Sequence, residues 1–140
     1  MAKSFKVVIT TPDATAFEGE AVSATLPGLA GYLGIWANHA PLVAAIAPGV
    51  VTLRLDDAGN EKQMAVGLGF VEVSDNVVNL MTDTCELAHE IDVDRARKAL
   101  DRARERLATM QATIDRERAR LAKSRAQARL TAAGAGTRRN

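Results

Sequence analysis

Two histidines and one cysteine are the residues of this chain best suited to acid–base or nucleophilic chemistry, and they stand apart. His39 lies in NHAPLVAAIAPG, residues 38–49; His89 follows fifty residues later, and Cys85 lies just before it. A general base or nucleophile needs a partner within hydrogen-bond reach. No GxSxG elbow, HxH or HExxH spacing supplies one here. A single cysteine allows neither a CxxC motif nor a disulfide framework. The competing reading of His39 makes Asn38–His39 a polar turn, with Pro41 fixing the start of the next segment. The residues therefore predict no catalytic group and no metal ligand.

Two further patterns invite a phosphate-binding reading. GLAGYLG carries Gly28, Gly31 and Gly34, but this is GxxGxxG and not GxGxxG. No long helix follows to offer its N-terminus to an anion, so a loop packed at one end of a sheet fits better. The second pattern is ten arginines between residues 91 and 130. Acidic residues interleave them, as Asp101 and Glu105 do with Arg102 and Arg106, and no aromatic residue offers base stacking. A solvated helical face laced with ion pairs, or a surface for a nucleotide phosphate or an acidic protein, are the readings left open.

Charge divides the chain in two. Residues 1–86 hold four Lys/Arg against ten Asp/Glu, net −6, and residues 87–140 hold fourteen against seven, net +7. Glycine and proline divide it similarly. All four prolines and eight of ten glycines precede residue 70, and residues 70–133 contain neither. Such asymmetry points to two parts facing different partners. No apolar run approaches the 18 residues of a membrane span, so membrane association is expected only through a partner.

The first part alternates apolar and polar residues with period two. FKVVIT places Phe5, Val7 and Ile9 on one face, AVSATL places Val22, Ala24 and Leu26, and VTLRL places Val51, Leu53 and Leu55. DDAGN and SDN are hairpin turns. Short strands at roughly ten-residue spacing predict an antiparallel sandwich or barrel. From Asp92 the period changes. Ala96, Leu100, Ala103, Leu107, Met110 and Ile114 form a helical stripe with Asp92 as N-cap and Asp94 in the first turn. A second amphipathic stretch over 115–130 carries Leu121 and Ala128, and Thr113 or Asp115 can cap it. The sequence permits a helical hairpin, and equally one helix of about 40 residues, roughly 60 Å long. Two nearly balanced packings are what a conformational switch requires.

Three segments in register, GYLGIWANHAPLVAAIAPGVVTL, VGLGFVEVSDNVVNLMTD and EIDVDRARKALDRA, resemble the epsilon subunit of F-type ATP synthases of bacteria and plastids. The resemblance implies a ten-stranded β-sandwich over residues 1–88, a regulatory helical hairpin over 89–133 and a flexible tail over 134–140. It implies a noncatalytic rotor subunit of a proton-translocating ATP synthase. The sandwich would bind the gamma stalk and the c-ring, and the helices, extending toward the alpha/beta subunits, would inhibit ATP hydrolysis. Location would be peripheral, on the cytoplasmic face of a bacterial inner membrane or the stromal face of thylakoids.

IDVDRA also fits the I/L-D-x-x-R-A pattern by which some members bind ATP as a regulatory ligand. No cofactor is otherwise required. Carried over by position, Glu86, Ile91, Asp92, Arg95, Ala96, Arg102, Arg125 and Arg129 form that site. Tyr32, His39, Arg116, Arg118 and Arg120 are the corresponding partner-binding candidates. Trp36–Ala37 replace a turn proline common in the family, and Ala30 and Tyr32 stand where acidic residues are common. Asp92 as N-cap explains the core motif without a ligand, so both readings stand. The alternative function is a stand-alone ligand-binding sandwich with a helical dimerisation tail.

Overall fold

A computed structural model describes residues 2–109 and 113–134. Met110, the side chain of Ile114 and residues 135–140 of the expected tail lie outside the described residues. Ten strands come first: β1 (Phe5–Thr10), β2 (Thr15–Ala21), β3 (Ser23–Gly28), β4 (Gly31–Trp36) and β5 (Leu42–Ile46). β6 (Gly49–Arg54), β7 (Glu61–Val66), β8 (Gly69–Ser74), β9 (Val77–Thr82) and β10 (Cys85–Leu87) complete the set. They join in the order β10-β7-β6-β3-β5-β8-β9-β1-β2, with β4 branching from β3. Every pairing is antiparallel except that of β1 with β9. The branch lets the sheet fold over itself as a sandwich.

The period-two residues supply its interior. Phe5, Val7 and Ile9 meet Leu26, Ile35, Val51, Leu53, Val71 and Leu80 in one buried cluster. Full burial of each large side chain contributes about 1.5–3 kcal/mol. Val22 departs from expectation. It is buried but lies between β2 and β3 instead of within a strand, where its N–H donates to the Arg54 carbonyl at 2.8 Å. Leu55 is only partly buried against the cluster.

The turns follow side-chain chemistry. Ser74 pairs with Val77, leaving Asp75 (φ 51°) and Asn76 (φ 61°) as a two-residue hairpin loop. Two successive left-handed residues match the right-handed twist of the flanking strands, and Asp and Asn tolerate them best after glycine. In the β6–β7 loop the Asp56 carboxylate accepts the Ala58 N–H at 2.9 Å and the Asn60 Nδ2 at 2.6 Å. Those bonds, Asn60's first, hold the Asp56 carboxyl below its ordinary range. The glycines of GLAGYLG belong to the β3–β4 hairpin. Gly28 pairs with Gly31, and a Cβ on Gly28 would sit 2.5 Å from the Gly31 carbonyl oxygen.

A short 3₁₀ turn (Ala88–Glu90) leads into α1 (Val93–Thr109), and α2 covers Thr113–Ala132. Asp92 caps α1 as expected, its Oδ1 accepting the Arg95 N–H at 3.0 Å. The helices form an antiparallel hairpin: Ala96 and Leu100 pack with Ala126 and Leu130, and Leu107 lies beside Arg116. α2 then buries Ala128 and Ala132 on Val50, Ala65 and Ile91, so it lies between α1 and the sheet. Two opposed buried faces leave α2 with little of the single stripe expected of it. Leu121 is only partly buried. The helical ion pair among the described residues is Arg120–Glu117, at 2.6 Å; Asp101 and Glu105 pair with none of the neighbouring arginines.

Candidate functional site

β10, the 3₁₀ turn and both helices converge on a cavity of about 360 Å³. β10 contributes Glu86 and the 3₁₀ turn Glu90, while Asp92 reaches it from the cap of α1. Arg95, Ala96, Ala99 and Arg102 line it from α1, and Arg129 from α2. The spacing 95-99-102 is one helical face, which is why α1 aims two guanidiniums into a single space. Glu86 Oε1 accepts a hydrogen bond from Arg129 Nε at 2.6 Å, an ion pair about one-third exposed on each side. Glu90 accepts the Leu87 N–H at 3.2 Å. Arg95 and Arg102 make no ion pair among the described residues. Three carboxylates and three guanidiniums thus leave the lining near neutral, with two cations uncommitted.

Six of the eight residues carried over from the nucleotide motif meet in this cavity. Two do not. Ile91 is buried behind it with Val50, Ala65 and Ala128, a core role. Arg125, though one turn from Arg129, lines a different cavity between the helices, with Arg106 and Arg118. Four residues on an α-helix advance the side chain some 40°, enough here to separate the pair. Glu90 and Ala99 line the site without having been singled out. Glu90 is three residues beyond Leu87, and its N-terminal turn role was the available signal.

The partner candidates scatter. Tyr32 is 62% exposed, and its hydroxyl accepts the Val50 N–H at 3.4 Å. His39 is half-buried, with Nδ1 2.7 Å from the Ala40 carbonyl oxygen. Asn38 (φ 61°) donates its N–H to Asn76 Oδ1 at 2.7 Å, so this segment is a turn tied to the β8–β9 hairpin. Arg116 Nη1 donates to the Leu107 carbonyl at 2.7 Å, at the turn of the helical hairpin. Arg120 is paired with Glu117, and Arg118 faces the interhelical cavity. No cluster of three or more His, Cys, Asp or Glu able to hold a metal occurs among the described residues.

Sequence reasoning passed over Val43 on β5 and Phe70 on β8, 72% and 48% exposed on paired strands. The signal was adjacent apolar residues, LV and FV, giving these strands apolar side chains on both faces. An apolar outer face of this kind marks an interaction surface.

Family comparison accounts for both halves of the architecture. The ATP synthase delta/epsilon chain β-sandwich domain matches residues 4–88, and the long α-helix domain of the same chain matches residues 89–134. The chain belongs to the ATP synthase delta/epsilon family. It is 42% identical over 132 residues to the ATP synthase epsilon chain of Moorella thermoacetica, covering 94% of this chain and 98% of that one. Identity to the epsilon chain of Symbiobacterium thermophilum is 45% over 130 residues, 92% of each chain. A chain of the Euglena gracilis mitochondrial ATP synthase, in its OSCP/F1/c-ring assembly, superposes with a TM-score of 0.76 at 26% identity. The match covers 91% of this chain and 79% of that one. A chain from the central stalk and c-ring of the Tetrahymena thermophila enzyme shares the fold, with a TM-score of 0.67 at 16% identity over 91% of this chain and 95% of that one.

Proposed function

We propose that this chain is the epsilon subunit of a rotary ATP synthase, a noncatalytic component of the central stalk. The observation that carries this reading is the delta/epsilon architecture matched over residues 4–134, sandwich and helices together. The sandwich couples the gamma stalk to the c-ring, with exposed Val43 and Phe70 suited to an apolar partner face. None of the described helices is long and apolar enough to cross a membrane. In this reading the chain meets the membrane through the ring, at the cytoplasmic face of a bacterial inner membrane or the stromal face of a thylakoid.

The helices regulate hydrolysis by leaving the sandwich and extending toward the alpha/beta subunits. The packing supports such a departure. Apart from Leu100 and Leu130, the buried residues where α1 meets α2 are alanines, Ala96 and Ala126 among them. Each small side chain contributes only about 0.8 kcal/mol per buried carbon, so the hairpin separates at far lower cost than the sandwich core. Extension would carry the +7 half of the chain to an acidic partner surface.

ATP is the regulatory ligand of the Glu86 cavity. Arg95 and Arg102 supply cations for its phosphates, while the carboxylates supply acceptors for amine and hydroxyl groups. Because the lining comes from the sheet, α1 and α2 together, a bound ligand stabilises the folded hairpin by mass action. Calorimetry tests this. ATP binds the wild-type chain, and Arg95→Ala combined with Arg102→Ala abolishes the heat; no wild-type heat at millimolar ATP refutes it. Stable complex formation with a gamma subunit in size-exclusion chromatography tests the subunit assignment itself.

A further inference from the structure

The interhelical cavity that holds Arg125 is distinct from the Glu86 cavity. It encloses about 400 Å³ near the hairpin turn and shares no residue with the other. α1 contributes Arg106; α2 contributes Arg118 and Arg125, with Leu121 and Ala122 as an apolar floor. Asp115 is its one carboxylate, so the lining carries a net charge of +2. None of the three guanidiniums makes an ion pair among the described residues, in contrast to Arg120 and Arg129 on the same helix.

Three guanidiniums without ion pairs line one space, a net cationic lining that a multivalent anion would neutralise. We propose that this cavity binds a compact phosphoryl anion, such as pyrophosphate or the phosphate end of a larger metabolite. Planar guanidiniums pair with phosphate oxygens in bidentate fashion, which fits this class better than a monovalent carboxylate. The lining has no aromatic residue to stack a base and one acceptor group to read one, so it recognises the phosphate and not the nucleoside. Here it differs from the Glu86 cavity, where carboxylates and guanidiniums balance.

Occupancy has a conformational consequence. Arg106 and Arg118 sit on opposite arms of the hairpin; in one continuous helix, twelve residues would separate them by about 18 Å along the axis. One small anion cannot bridge that distance, so binding requires the closed hairpin and stabilises it. The site restrains extension from the turn end, independently of any nucleotide at the sheet end.

The test is titration of the full-length chain with inorganic pyrophosphate, by calorimetry at low ionic strength, on three proteins. Binding is expected in the wild type and in Arg95→Ala/Arg102→Ala. A loss of affinity of at least tenfold is expected in Arg106→Ala/Arg118→Ala, whose arginines are exposed and whose folding circular dichroism verifies. Saturating pyrophosphate should also slow amide exchange in both helices of the wild type. No wild-type binding at millimolar pyrophosphate overturns the proposal. So does binding that survives Arg106→Ala/Arg118→Ala, or that disappears only in Arg95→Ala/Arg102→Ala, which would assign the anion to the Glu86 cavity.

Discussion

Arg129 on the last turns of α2 holds Glu86 on β10 at 2.6 Å, across 43 positions of sequence. It is the ion pair, among the described residues, that joins the two helices to the sandwich. Both side chains are about one-third exposed, which places the pair between a surface and a buried bridge.

That position sets its magnitude. After allowance for solvent screening, the pair should contribute about 1 kcal/mol to the docking of α2. A double-mutant cycle of Glu86→Gln and Arg129→Gln, read by hydrogen exchange of α2 amides, isolates it. A coupling near zero would show that apolar contact with Val50 and Ala65 alone docks the helix. The coupling should also shrink at high salt.

Asn76 is the second long-range tie. Its Oδ1 accepts the Asn38 N–H, its Nδ2 donates to the Ser4 carbonyl at 3.0 Å, and its backbone holds φ 61°. Asn76→Ala removes both side-chain bonds and places a residue with a Cβ but no compensating polar group in the left-handed region. The expected loss is about 2 kcal/mol in denaturant unfolding, and Asn76→Gly should recover part of it by relieving the backbone. Equal losses for Ala and Gly would remove the backbone component.

These two ties also mark where the sequence was legible. Alternation in FKVVIT and VTLRL, the DDAGN and SDN turns and the Asp92 cap are local signals, and the fold reproduces them. The antiparallel sandwich or barrel was legible for that reason, while its ten strands were what the family resemblance implied. Asn76 reaching Ser4, 72 positions away, leaves no local trace. The two-faced burial of α2 was hidden too, because a middle layer lacks a single stripe. Six residues that the family resemblance implied line the Glu86 cavity together, from β10, the cap of α1, α1 itself and α2. Arg125 is not among them, because its cavity depends on how α1 and α2 rotate against each other.

Cys85, beside Glu86, gives a pH prediction. Burial first, then the charges of Glu90 and Glu86, push its thiol up from 9.0 to about 11. At pH 7 roughly one molecule in ten thousand carries the thiolate, so alkylation should be slow and accelerate only as pH approaches 11. The sign for stability follows from the raised value. The contribution is fully present below pH 9 and is lost as pH rises from there through 11. Iodoacetamide kinetics against pH check this, and Glu86→Gln should move the inflection downward. An inflection at or below pH 9 in the folded chain refutes the burial argument.

Arg116 offers the most direct test of the proposed switch. Its guanidinium donates to the Leu107 carbonyl at 2.7 Å, across the hairpin turn. In one continuous helix that carbonyl accepts the amide of residue 111, and position 116 lies nine residues, about 13.5 Å, along the axis. The bond therefore exists only in the closed form. Arg116→Ala should raise the extended population, whereas Arg120→Ala, which breaks only an exposed pair with Glu117, should not. Spin labels on Lys98→Cys and Gln127→Cys in a Cys85→Ser background report the change. Those exposed positions lie on different helices of the hairpin, and in a single helix they would stand about 44 Å apart. A longer distance that fails to grow in Arg116→Ala, or that grows equally in Arg120→Ala, would remove Arg116 from the closing mechanism. A selective increase, accompanied by stronger inhibition of hydrolysis in the assembled enzyme, would tie the Arg116 side chain to regulation.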